Sequence, residues 1–250
     1  MNARLVLATL LLTLAACSQE DAPSDEVQQV AEKAVLAAEG EPARQASAYA
    51  PRNDCAEMPG AAQFLRDLND AVARRDEDAL AALAAEDIKL DFGDGAGIAE
   101  LRRRVSAPGG GLWEELEQLV TLGCASNSQG GLTVPWYFEQ QIPVADPLGG
   151  FMVTGTDVPM RRAPESDAPV VARLDWAAVD LVPGEAEHAG FRHVRAVPPP
   201  GEGEDSVGGL RPDPPSGYVA QGQLRSMVDY RLTAASRNGR WRIISFVSGD

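Results

Sequence analysis

The stretch Phe151–Val182, FMVTGTDVPMRRAPESDAPVVARLDWAAVDLV, decides how the rest of the chain is read. Its apolar residues, Val158, Met160, Val170, Val171, Leu174, Val179, Leu181 and Val182, return in short runs with a period near two, and Ala163–Pro169 (APESDAP) supplies a polar loop between them. Two further short segments, FRHVRAV (Phe191–Val197) and GYVAQGQL (Gly217–Leu224), continue the pattern. Short alternating strands separated by turn residues are the signature of a small all-β barrel. After them, YRLTAASRNGRWRIISFVSGD reads as a hairpin turning at Asn238-Gly239, because that dipeptide tolerates the positive φ angles of a tight two-residue turn. Leu232, Trp241, Ile243 and Phe246 need cover, so this hairpin either packs on the preceding helices or extends the barrel sheet.

The region ahead of Phe151 reads as helical. Phe64, Leu65, Leu68, Ala71 and Val72 recur at helical spacing behind Pro59, and DEDALAALAAE follows with Asp76, Glu77 and Asp78 at the positive end of its dipole. IKLDF (Ile88–Phe92) alternates as a short strand, then GIAELRRRV and LWEELEQLVTLGC form two more helices, the last stopping at Gly123. Gly93, Gly95 and Gly97 have the wrong spacing for a dinucleotide-binding turn, and Asp91 and Asp94 lack the downstream ligands of a calcium loop, so this junction is read as a plain turn. Arg102, Arg103 and Arg104 cannot share one helix face and are read as a solvated edge. Of the adjacent aromatics Trp136, Tyr137 and Phe138, one or two are expected to plug the core. The helix-helix-strand order from Phe64 to Phe92 resembles cystatin-like α+β domains, but too few strands follow to complete one.

At the N-terminus, Arg4 precedes an apolar run from Leu5 to Ala16 that is too short to remain as a spanning helix and reads as a signal peptide. Leu14-Ala15-Ala16-Cys17 resembles the lipobox of bacterial lipoproteins. The resemblance implies lipidation of Cys17 and, with serine rather than aspartate at position 18, an outer-membrane location facing the periplasm. Cys55 and Cys124 then remain in an oxidising compartment, where a disulfide between them is expected.

The polar, alanine-rich stretch that follows has a thin apolar stripe at DEVQQVAEKAVLAAE and is read as a tether. The expected organisation is a signal peptide over 1–16, a flexible tether over 17–52, a mostly helical domain over 53–150, and an SH3-like barrel with a C-terminal hairpin over 151–250. The fold class is therefore α+β. A formal net charge of −15 disfavours nucleic acid as a partner.

Several pieces of the last region resemble the bacterial SH3 (SH3b) domain family. Met160-Arg161 with Ala163-Pro164 is similar to its entry loop, Pro169-Val170-Val171 with Leu174 to the next strand, Gly190-Phe191 with Val194 to a middle strand, and Gly217-Tyr218-Val219 to the closing motif. Phenylalanine and tyrosine stand where that family usually has tryptophan, and the Pro/Gly/acid insertion Pro198–Ser216 interrupts the pattern. The resemblance implies a binding module, with Trp176, Phe191 and Tyr218 as candidate groove aromatics or core fillers.

No catalytic constellation, metal-ligand spacing or cofactor motif is visible. His193 reads as a half-buried strand residue and Glu114-Glu115 as a solvated helix face. The expected function is a lipid-anchored, non-catalytic envelope protein that binds peptidoglycan or an envelope protein. A cell-wall hydrolase or its regulatory subunit, or an acidic inhibitor of cationic wall-degrading enzymes, are the alternatives.

Overall fold

The structure, a computed structural model, describes residues 43–45, 47–109, 111–184, 188, 190–200 and 213–249. Cys17, the tether helix of 25–39 and most of the acidic insertion lie outside the described residues. Residues Pro42–Asp250 form one unit. Within the stretch expected to be a tether, β1 (Ala43–Gln45) belongs to a sheet and Tyr49 is buried.

Four helices precede most of the strands: α1 (Ala61–Ala73), α2 (Glu77–Leu83), α3 (Ile98–Val105) and α4 (Gly111–Leu119). Gly60, at φ 79°, turns the chain into α1, and the Trp241 indole beside it donates to the Pro59 carbonyl at 2.9 Å. Asp76 caps α2 by accepting from the Ala79 N–H at 2.9 Å, as its place at a helix start requires. That helix ends three residues earlier than its alanine-rich sequence predicts. Ala84 instead opens strand β2 (Ala84–Lys89), where parallel pairing with Ile243 outweighs helix propensity.

Two sheets hold the strands. The smaller runs β2-β13-β12-β4-β3, where β3 is Ala125–Ser126, β4 Leu132–Val134, β12 Arg231–Arg237 and β13 Arg240–Val247. The larger has eight strands in the order β1-β7-β6-β10-β9-β8-β5-β11. Its remaining members are β5 (Gly150–Val153), β6 (Val158–Arg161), β7 (Val170–Leu174), β8 (Ala178–Leu181), β9 (Phe191–Ala196), β10 (Ser216–Ala220) and β11 (Leu224–Ser226).

This overturns the expected fold class, a small mostly helical N-terminal domain followed by an SH3-like β-barrel with a C-terminal β-hairpin. The described residues are mostly β, in two open sheets. The helical region supplies β2, β3 and β4, and the C-terminal hairpin, expected with the barrel, instead forms two of the three interior strands of the smaller sheet. The reason is apolar cover. Leu232, Ala234, Trp241, Ile243 and Phe246 share one core with Phe64, Leu68, Leu80, Leu101 and Leu116 of the helices. Asn238 and Gly239, at φ 54° and 74°, make the predicted turn.

A second core, built on Val153, Val158, Met160, Leu174, Val179, Val194 and Val219, lies within the larger sheet. A third joins the regions through Tyr49, Leu122, Trp136, Tyr137, Met152 and Ala178. Trp136 and Tyr137 thus plug a core as expected, while Phe138 is half-buried with the Arg231 guanidinium 4.6 Å from its ring centroid. The predicted disulfide is present between Cys55 and Cys124. Hydrogen bonds from Cys124 N–H to Arg52 O (2.7 Å) and from Asp54 N–H to Cys124 O (2.8 Å) fasten the entering strand beside it.

Candidate functional site

Trp176 sits in the turn between β7 and β8 with φ 44°, a left-handed conformation that is rare for a bulky side chain. Its neighbours in the chain explain how it is held there. Leu174 and Ala177 are buried on either side, the Trp176 N–H donates to Gly155 O at 2.8 Å, and the Trp176 carbonyl accepts from Tyr49 N–H at 3.2 Å. Backbone strain that persists under such constraint is concentrated at functional sites.

The half-buried indole lines a cleft of about 450 Å³ between the larger sheet and the end of α4. Thr154, Leu224, Arg225 and Asp229 come from one side, Gln118, Thr121 and Leu122 from the other. Its volume falls in the range of small-molecule sites, and its lining is more polar than most of them have.

Arg225 is the polar centre of this cleft. Though on the edge strand β11, it is only 5 % exposed. Its guanidinium lies 3.4 Å from Asp229 and 3.6 Å from Glu115 of α4, and donates to Tyr230 O at 3.2 Å, while its Nε has no hydrogen-bond partner among the described residues. Burial pushes the Glu115 carboxyl above the usual carboxylate range, with the Asp229 charge adding to the effect and Arg225 opposing it. Burial likewise pushes the Tyr137 phenol up to about 12. Within the lining Asp229 offsets Arg225, which leaves the cleft without net positive charge, so it favours neutral polar ligands over anions.

The three candidate aromatics are not brought together. Tyr218 and Phe191 lie on the outward side of β10 and β9, where Tyr218 pairs with His193 and Phe191 with Ala220. Tyr218 stacks on His193 with centroids 4.6 Å apart and planes at 15°. Neither residue lines the cleft with Trp176. All three are half-buried rather than core-filling.

Sequence reasoning missed Arg225 and Asp229, and read Glu115 as solvated. Glu114 is exposed as expected, but Glu115 turns towards Arg225. Nothing in LRS or EEL marks a charged residue as buried; only the meeting of α4 with β11 does.

The glycine-rich junction is closed by its own side chains. Asp91 accepts from Gly93 N–H (2.8 Å) and Gly95 N–H (2.9 Å) and pairs with Arg104. Arg102 pairs with Glu77 and Asp78, and Arg103 with Glu100. No anion patch is left by the three arginines. Among the described residues, no group of three or more His, Cys, Asp or Glu side chains is placed to hold a metal, and no helix is long and apolar enough to cross a membrane.

No family model matches the chain, and no curated protein does. Among solved structures, the chain is similar to a substituted variant of a protein titled Rd1NTF2, at 13 % identity over 77 % of this chain and 99 % of the other, with a TM-score of 0.24. It is also similar to an NTF2-like protein with a cystatin-like fold from Novosphingobium aromaticivorans, at 11 % identity over 90 % of each chain, again with a TM-score of 0.24. Likenesses at this level carry no argument about this chain.

Proposed function

We propose that this is a lipid-anchored, non-catalytic cell-envelope protein whose cleft lined by Trp176 binds peptidoglycan. The observation that carries the reading is the indole held in a strained backbone conformation at a polar cleft. An indole face takes the C–H face of a sugar ring, and Gln118, Thr154, Asp229 and Arg225 offer donors and acceptors for hydroxyl and amide groups around it. The lipobox-like Leu14-Ala15-Ala16-Cys17 supports an anchor at the outer membrane, within reach of the wall.

The test is retention of the mature chain on purified sacculi. Wild type is expected to be retained and Trp176→Ala to be lost into the supernatant; equal behaviour of the two would overturn the reading. Labelling with a fatty acid, with Cys17→Ala as control, tests the anchor separately.

One observation favours a wall hydrolase instead: Glu115 is a carboxyl of raised pKa beside a second carboxylate, the pairing a glycosidase uses. Against it, Glu115 Oε2 is sealed from solvent and Glu115 does not line the cleft. Release of soluble wall fragments during the same incubation would favour the hydrolase.

A further inference from the structure

Thr121 stands at the rim of the cleft. That exposed residue also lines a second depression of about 240 Å³, whose walls are Leu65, Leu68, Val120 and Val134, with Arg52 and Asn69 at its edge. The chemistry of the two halves differs. The first has an indole and a ring of polar groups in which the Asp229 carboxylate offsets the Arg225 guanidinium. The second is aliphatic, and among the described residues lining it there is a guanidinium and no carboxylate. The Asn69 side-chain N–H donates to Leu65 O at 2.7 Å, which leaves its carbonyl oxygen as an acceptor for an amide.

Resting on the reading above, we infer that the ligand is a sugar–peptide conjugate: a neutral N-acylated sugar in the Trp176 cleft, joined across Thr121 to a short acidic peptide whose small apolar side chains enter the second depression and whose carboxylate meets Arg52. A glycan alone has no branched aliphatic groups for Leu65, Leu68, Val120 and Val134, and a peptide alone leaves the indole face empty. Linking two weakly bound pieces converts the second contact into an intramolecular one, so the conjugate binds more tightly than either piece.

Calorimetry on the mature chain tests this with four probes: an N-acetylated disaccharide, the free peptide, the disaccharide–peptide, and the disaccharide–peptide with its carboxylates amidated. The conjugate is expected to bind at least about tenfold more tightly than the disaccharide, a difference of the size that burying one small apolar side chain produces. Amidation is expected to weaken it, and Asn69→Trp, at an exposed helical position, to bring its affinity down to that of the disaccharide. Equal affinities for disaccharide and conjugate would overturn the inference and leave the wall-binding reading standing. So would a free peptide that binds as tightly as the conjugate. Failure of every probe to bind would overturn both.

Discussion

Trp176 shows how one residue can be legible as a type and illegible as a role. As an aromatic between two alternating segments it is a candidate for groove or core, but only its φ of 44°, held by hydrogen bonds to Gly155 and Tyr49, and its place in the lining reveal a strained turn beside a cleft. Replacing it by glycine would relieve backbone strain of about 1–3 kcal/mol while removing indole packing. Trp176→Gly is therefore expected to change stability in urea denaturation far less than it lowers retention on sacculi.

The carboxyls make opposite pH predictions. Glu115 has a folded-state pKa above its unfolded value, so the native state binds the extra proton. Its contribution to stability falls as pH rises from the ordinary carboxylate value, near ~4.3, through the raised one. The groups around it are Arg225, Asp229 and Glu114, and Glu115→Gln is expected to remove that decline. Glu100, hydrogen-bonded by Arg103 and Arg104, is held down at about 2. Its contribution is present above the ordinary carboxylate range and is lost as pH falls towards about 2, a loss that Glu100→Gln abolishes. Denaturation midpoints measured across this acid range check both.

At the scale of elements, the turn between α4 and β3 is the most constrained. Gly123 has φ 74°, and a Cβ there would overlap the Arg52 carbonyl that receives the Cys124 N–H. Gly123→Ala is expected to cost about 1–3 kcal/mol, more than substitution at an exposed glycine such as Gly130, because the opposing atoms are backbone and cannot swing aside. Removing the Cys55–Cys124 disulfide with two serines is expected to cost about 2–5 kcal/mol in the same denaturation assay. The helices α1 and α4 could be read from apolar spacing because each buries one stripe. The start of β2 could not, since Ala84 and Ala85 favour a helix locally and become strand only beside β13.

At the scale of the molecule, the smaller sheet joins strands from 84–134 to the hairpin of 231–247, far apart in the chain. A chain ending at Asp229 lacks β12 and β13, two of the three interior strands of that sheet and the cover of the helical core. It is expected to lose protease resistance over 61–134, although those residues are all present. Intact resistance there would mean that the helices fold without the hairpin.

Read along the chain, the helix-helix-strand order of Phe64–Phe92 is followed by too few strands nearby to complete a sheet. The later strands of the smaller sheet are β12 and β13, and seven strands of the larger sheet, β5 to β11, lie in sequence between them and β4.

The sequence by itself determined the helices α1 to α4, the alternating segments between Phe151 and Leu224, the Asn238-Gly239 turn, the disulfide pair and the burial of part of the Trp136–Phe138 cluster, since periodicity, turn chemistry and cysteine count act locally or through few partners. Only the tertiary structure decided which sheet the hairpin joins, which of Trp176, Phe191 and Tyr218 lines a cleft, and that Arg225, Glu115 and Asp229 meet. Those outcomes depend on the packing of apolar faces far apart in the chain, and a charged residue carries no local sign that such packing will bury it.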